Sequence, residues 1–303
     1  MKRSLSVCAG VLVLATGLAL PRLAFGYVRT LTTAGVATAW KSPCVGMKFY
    51  LGAPPPDLDA AAYLAAAQAG GDAWTNASLD GVHRCSNVQL TVTSVDAGTA
   101  DVGLDYENRV IFRITDWSHD PSILALTSVF ENTNTGEILD ADVEVNAEGF
   151  LWADLISNPD AGASDTFDFQ HAITHEFGHV LGLAHPCYAA GQIDPTTGQP
   201  ASDPVDNNGN PAPLCSAATT QAADTPIMYP TVNLNSSQRR TLAPDDLQGV
   251  YDIYPYTANY VCIPLSAGGS SSSCSYSARP VHGGAGVGLL FVAALVRSWR
   301  RRR

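Results

Sequence analysis

The chain has 303 residues, a hydrophobic content of 46% and a formal net charge of −11, enough length and apolar content for one large domain or two small ones. The charge is uneven: residues 1–26 and 274–303 hold 9 of the 17 Lys and Arg and no Asp or Glu, so residues 27–273 set 28 acidic groups against 8 basic ones, about −20. A body this acidic lacks the basic footprint of nucleic-acid binding, and nucleic acid is excluded as a partner.

The N-terminus has the order of a secretory signal. Lys2 and Arg3 precede an apolar run from Leu5 to Leu20, then small residues at Ala24 and Gly26, with cleavage expected near Gly26-Tyr27. In an exported chain, disulfides are the default for Cys44, Cys85, Cys187, Cys215, Cys262 and Cys274. A short leader contains Trp40, and Val45 to Leu51 reads as a first strand, broken by Pro54-Pro55-Pro56. Asp57 or Asp59 can cap an Ala-rich helix over Ala60 to Ala69, ending at Gly70-Gly71, with Trp74 beyond it expected to be buried against the sheet. Val88 to Val95 alternates as a second strand, and Arg109 to Thr115 reads as a third. Ile123 to Glu131 and Ile138 to Asn146 read as two more, joined by the turn-rich Asn132 to Gly136. A long helix should then begin around Ser164 to Thr166, where N-cap residues cluster, and stop at Gly182.

That helix carries His175-Glu176-Phe177-Gly178-His179-Val180-Leu181-Gly182-Leu183-Ala184-His185. Residues four apart share a helix face, so His175 and His179 can point two imidazoles at one zinc ion. Glu176 is then placed to take a proton from water activated by that metal. Gly182 can adopt the left-handed conformation that ends a helix and turns the chain, returning His185 as third ligand. Three protein ligands leave a fourth position open, the catalytic rather than the structural arrangement. An amphipathic core helix accounts for Phe169, Ile173, Phe177, Val180 and Leu181, but not for three His and a Glu at this spacing.

From Pro186 to about Thr225 the composition turns to Asp, Asn, Pro, Gly, Thr and Ala without periodicity, an irregular insertion whose ends hold Cys187 and Cys215. A disulfide between them would tie the excursion down. Asp203, Asp206, Asn207, Asn208 and Asn210 could collect a calcium ion, or form a plain solvated loop. Thr225 to Pro230 is a tight turn bearing Met228, and Leu242 to Tyr254 opens with Pro244-Asp245-Asp246 and spaces apolar residues at 247, 250, 251 and 254 as one buried helix face. Residues 261–282 form a linker, Gly/Ser-rich from Ser266 to Ser275. Gly283 to Val296 is a 14-residue apolar run followed by Arg297, Trp299 and Arg300 to Arg303. As a helix it would span only about 21 Å, short for a stable membrane anchor.

The motif over His175 to His185 resembles the signature of metzincin zinc endopeptidases. Ile227-Met228-Tyr229-Pro230 resembles the Met-turn of their matrixin branch, and Leu242 to Tyr254 resembles the matrixin C-terminal helix. The resemblance covers roughly residues 39–256. It implies an α/β (α+β) catalytic domain over 27–260, with a twisted mixed sheet of about five strands, a zinc-site helix, a Met-turn and a C-terminal helix. It further implies one catalytic zinc on His175, His179 and His185, Glu176 as general base and Met228 beneath the ligands. A protein or peptide substrate would pair antiparallel with an edge strand at Ala125, Leu126 and Thr127. Cys274 in a Ser-rich stretch, an apolar segment and an Arg cluster resemble the C-terminal sorting signals of myxobacterial exported proteins, which would hold the chain at the cell surface. The other reading of 283–303 is a single marginal membrane anchor. If Cys274 serves sorting, Cys44–Cys85 and Cys187–Cys215 are the expected pairs, with Cys262 left over; otherwise Cys262–Cys274 completes the set.

The chain departs from the matrixin pattern in three places. Residues 186–227 intervene where matrixins run only a few residues from third His to Met-turn. No Pro-Arg-Cys-Gly latency switch is present. His83, His119 and His171 are too scattered for the family's second, structural zinc. A surface-held binding or adhesion module on the same fold is the alternative from another functional class; intact Glu176 counts against it, since only catalysis needs that base.

Overall fold

Five long strands build the body of a mixed sheet because their alternating or continuous apolar runs need cover on one or both faces. They are β3 (Cys44–Tyr50), β4 (Gln89–Val95), β5 (Arg109–Arg113), β6 (Ala125–Asn132) and β7 (Glu137–Asn146). The computed structural model describes residues 26–50, 60–95, 100–156, 158, 165–187, 205–213, 215, 226–237, 239–258, 260–262, 287–292 and 296–297. Two short N-terminal strands, β1 (Val28–Arg29) and β2 (Ala39–Trp40), precede the five; β2 runs parallel to β7. β4, β3, β5 and β7 are neighbours in that order and parallel, and β6 pairs antiparallel with β7. The fold is therefore mixed α/β, with a largely parallel sheet and few helices.

Helix α1 (Ala60–Thr75) and helix α2 (Phe169–Val180) pack against this sheet. Tyr63 of α1 and Phe169 of α2 meet edge-on with ring centroids 4.9 Å apart, and Phe49 of β3 meets Phe112 of β5 at 5.6 Å. This aromatic cluster sets the start of α2 on the sheet. The C-terminal helix α3 (Pro244–Ile253) is held by Asp246, Gly249 and Val250, all buried.

The sequence expectations need four corrections. Gly70-Gly71 do not end α1, because these glycines let it touch its neighbours. A β-carbon on Gly70 would lie 2.9 Å from Thr174 Oγ1, and one on Gly71 would lie 2.8 Å from a Leu90 methyl. Trp74 is thus the last full turn of α1, and its indole N–H donates to Thr174 O of α2 at 2.8 Å rather than lying against the sheet alone. Second, α2 begins at Phe169, later than Ser164 to Thr166. Residues 166–168 form strand β9 (Thr166–Asp168), parallel to β8 (Leu151–Ala153), and that pairing keeps them extended. Third, Tyr251 is 40% exposed, so the buried face of α3 runs through 246, 249 and 250.

Fourth, Cys44 pairs with Cys262, and Cys85 is a free, buried thiol. The expected Cys44–Cys85 bridge is absent because the chain after α3 returns to the start of β3, where Cys44 sits. The Tyr260 hydroxyl also lies 3.0 Å from Ser42 Oγ there. Cys187–Cys215 forms as expected, with Cα atoms 4.9 Å apart.

Part of the C-terminal apolar run is extended. Strand β12 (Val287–Val292) adds antiparallel to the free side of β6, and strand β13 (Val296–Arg297) pairs in parallel with β11 (Thr231–Val232). No helix among the described residues is long and apolar enough to cross a membrane. The signal segment 1–25, Asp203 and most of the insertion, the linker 263–286, Cys274 and the terminal arginines fall outside the described residues.

Candidate metal centre

Helix α2 starts where Asp168 caps it: the carboxylate accepts the His171 N–H at 2.8 Å. Arg240 clamps that cap, donating from Nε to Asp168 Oδ1 at 3.0 Å and from Nη1 to Gln170 Oε1 at 2.6 Å, with a further contact to Asp154. His175 and His179 then fall one turn apart on the buried side of α2, neither exposed to solvent.

The other end is shaped by glycine. Gly182 has φ +89°, the left-handed region, and a β-carbon there would lie 2.6 Å from Thr38 O. Both facts demand Gly. The last carbonyls of the helix, which lack partners within it, are taken by side chains from afar: Trp40 Nε1–H donates to Val180 O at 2.8 Å, and Tyr254 O–H to Leu181 O at 3.0 Å. The turned chain forms strand β10 (Leu183–Ala184) against β1, which delivers His185.

The three imidazoles converge. His185 Nε2 lies 3.1 Å from His175 Nε2 and 3.2 Å from His179 Nε2. The opposite ring nitrogens fix the tautomers, since a carbonyl can only accept. His175 Nδ1–H donates to Ile227 O at 2.7 Å and His179 Nδ1–H to Leu183 O at 2.8 Å. His175 and His179 therefore each turn a lone pair on Nε2 toward the same point, where His185 Nε2 also lies. Burial, then the neighbouring imidazoles, push His175 and His185 well below the ordinary histidine range, so both are neutral donors. Among the described residues this is the one group of three or more His, Cys, Asp or Glu able to hold a metal ion.

Glu176 is buried next to this point. Its Oε2 accepts the Thr127 hydroxyl at 2.6 Å, and its Oε1 has no partner among the described residues. Burial pushes its carboxyl up to about 8, with the Thr127 hydrogen bond pulling the other way. Beneath the helix, Met228 is buried against Gly178. A β-carbon at Gly178 would collide with the Met228 sulfur and lie 2.8 Å from the Trp74 ring. The turn that carries Met228 is held by Asp246 of α3, whose carboxylate accepts from Ile227 N at 2.8 Å, Met228 N at 3.2 Å and Ala243 N at 2.8 Å.

The structure thus brings together His175, His179, His185, Glu176, Met228 and Thr127. Ala125 and Leu126 are buried in β6, paired with Val145 and Glu144 of β7. His83, His119 and His171 lie elsewhere: His83 is at the surface beside Asp80, His119 pairs with Glu144 at 3.0 Å, and His171 is sealed inside the fold. Of the residues suggested for calcium, Asp206 closes its own loop, accepting from Asn208 N and Asn210 N at 2.8 Å each. Sequence reading missed Asp246, Trp40, Tyr254 and the Thr127 hydroxyl as site supports. Thr127, Tyr254 and Trp40 act across 49, 73 and 140 residues and Asp246 across 18 and 19, and only the buried Asp within an otherwise amphipathic α3 offers a local signal.

No protein-family model matches the chain, and no curated protein matches it.

Proposed function

We propose that this chain is an exported zinc-dependent endopeptidase of the matrixin-like metzincin type. The observation that carries the reading is the convergence of three buried histidine Nε2 atoms, with a buried, half-partnered Glu176 beside them. Three imidazoles suit zinc among the common divalent metals, and three protein ligands are the number that leaves zinc a reactive position. The donor set fits the ion: both observed Nδ1–H groups are spent on carbonyls, leaving Nε2 for metal.

His175, His179 and His185 would hold the zinc. When bound, zinc supplies a Lewis acid that acidifies water and polarises a peptide carbonyl. Glu176 then does the proton work. Oε2 is steadied by Thr127, and Oε1 is free to accept the proton of the attacking water. The same carboxyl hands that proton to the departing amine, so one residue serves as base and then as acid. Thr127 lies on β6, and a substrate pairing antiparallel along that strand would bring its backbone past Glu176. Export is supported by the signal-like N-terminus and by two disulfides, Cys44–Cys262 and Cys187–Cys215. Surface retention through the tail belongs to the same proposal and rests on the tail's sequence alone.

The test is incubation of the purified chain with a mixed peptide library, with and without a zinc chelator, beside Glu176→Gln. Cuts that vanish on chelation and return with zinc support the reading. Zinc-loaded Glu176→Gln that still cuts at the wild-type rate would overturn the base assignment. A zinc-loaded wild-type chain that binds peptides without cutting would favour a binding module.

A further inference from the structure

The sheet would end at β6 but for the tail. β6 pairs with β7 on one side, and on the other Val287 to Val292 run antiparallel to it, from Val287 opposite Asn132 to Val292 opposite Thr127. The tail strand thus ends its pairing at the residue whose hydroxyl bonds Glu176. After three intervening residues the chain pairs again: Val296 is opposite Thr231 and Arg297 opposite Val232, directly after the turn that carries Met228 and bonds His175. Four Cα steps separate Val292 from Val296, at most about 14 Å of extended chain. The two pairings therefore bracket the metal centre, one on the Glu176 side and one on the Met228 side.

We infer that β12, residues 287–292, is a built-in strand that occupies the peptide-binding edge of this site along Thr127 to Asn132, with β13, residues 296–297, pairing beyond it, and keeps the chain latent until the tail is withdrawn. The inference rests on the peptidase reading for the word latent; occupation of the β6 edge stands without it. An uncovered edge strand presents a row of unpaired N–H and C=O groups that any extended peptide can complete. Here the same molecule completes it. The tether favours that outcome: Cys262 is fastened to Cys44 at the sheet, and 24 residues join it to Val287. A strand joined covalently to the sheet never diffuses away, so a free peptide must compete with a segment of the same molecule. The Gly/Ser-rich linker is also where cleavage would most readily release the strand.

The test uses the full chain with Leu289→Pro and Leu290→Pro together. Adjacent positions in a strand point their N–H groups to opposite sides, so one of the two prolines removes a ladder donor whichever faces β6. Both lie outside the metal centre. Amide hydrogen exchange is followed by mass spectrometry over residues 125–132, and peptide cleavage is assayed with zinc present. The expected result is slow exchange of the tail-facing β6 amides in the wild type, at least tenfold faster exchange in the variant, and at least tenfold faster cleavage. Equal exchange in the two proteins would overturn the inference. So would faster exchange with cleavage already at its full rate in the wild type. Faster exchange with no cleavage by either protein would leave the strand pairing standing and remove the peptidase reading instead.

Discussion

Asp246 and His175 are joined through a single peptide unit. The Met228 N–H of the 227–228 peptide donates to Asp246 Oδ1 at 3.2 Å, and the Ile227 carbonyl of the same peptide accepts His175 Nδ1–H at 2.7 Å. A carboxylate on α3 therefore orients a ring on α2 that shares no direct contact with it. Hydrogen bonds in such a chain polarise one another, which raises the basicity of Nε2.

Asp246→Ala strands three N–H groups, the buried ones of Ile227 and Met228 and the part-buried one of Ala243. The expected loss is about 3 kcal/mol or more in urea unfolding. Asp246→Asn keeps the shape and separates orientation from stability: zinc affinity, read by competition with a chromophoric chelator, should fall about 10- to 100-fold. Wild-type affinity in the Asn variant would show that His175 is held by the turn alone.

Thr127 reaches Glu176 with its hydroxyl while its backbone lies on the strand that would receive substrate. Thr127→Val preserves the β-branched shape and removes only the donor. If Glu176 is the base, kcat should drop by about tenfold, the scale of one hydrogen bond to a charged group, with KM little changed. Thr127→Ser should restore most of it. A Val variant with wild-type kcat would mean the hydroxyl only packs.

The local part of this site was legible, and the remote part was not. His175, Glu176, His179, Gly182 and His185 lie within eleven residues, and helix periodicity plus one glycine turn is enough to bring them together. β4 was legible for the same reason, since alternation has period two. Gly70-Gly71 read as a stop because propensity is a local quantity; Thr174 and Leu90, which demand the missing side chains, are far away in sequence. The start of α2 was misplaced by a run of plausible caps, and β8 chose among them by keeping 166–168 extended. The tail strand was the least visible, because an apolar run looks the same whether a membrane or a sheet edge will cover it.

The disulfide map gives a direct check on that tertiary assignment. Cys44 is bonded to a partner 218 residues away, while Cys85 is buried and its thiol is pushed up by desolvation. A non-reduced digest should yield a peptide linking Cys44 with Cys262 and one linking Cys187 with Cys215. Cys85→Ala should leave both unchanged. A Cys44–Cys85 peptide would place the chain after α3 elsewhere. The Cys187–Cys215 bridge, at a separation of 28, should add about 3 kcal/mol of stability by restricting the unfolded chain.

Glu131 sits on β6, wholly buried, with both carboxylate oxygens lacking a partner among the described residues. Burial pushes its carboxyl up to about 7 from an ordinary 4.5. The folded state therefore holds this proton more tightly than the unfolded chain does. Its contribution to stability is complete below about 4.5 and is lost as pH rises through about 7. The shift corresponds to a loss on the order of 3 kcal/mol. Asp142 on the neighbouring strand is raised to about 7 for the same reason, so wild-type pH dependence alone does not isolate Glu131. Glu131→Gln does, because the amide keeps the size and cannot ionise. Unfolding in urea at pH 5 and pH 8 should show the wild type losing more stability across that interval than the variant, by on the order of 3 kcal/mol. Parallel losses in the two proteins would mean that Glu131 finds solvent or a cation in the folded chain.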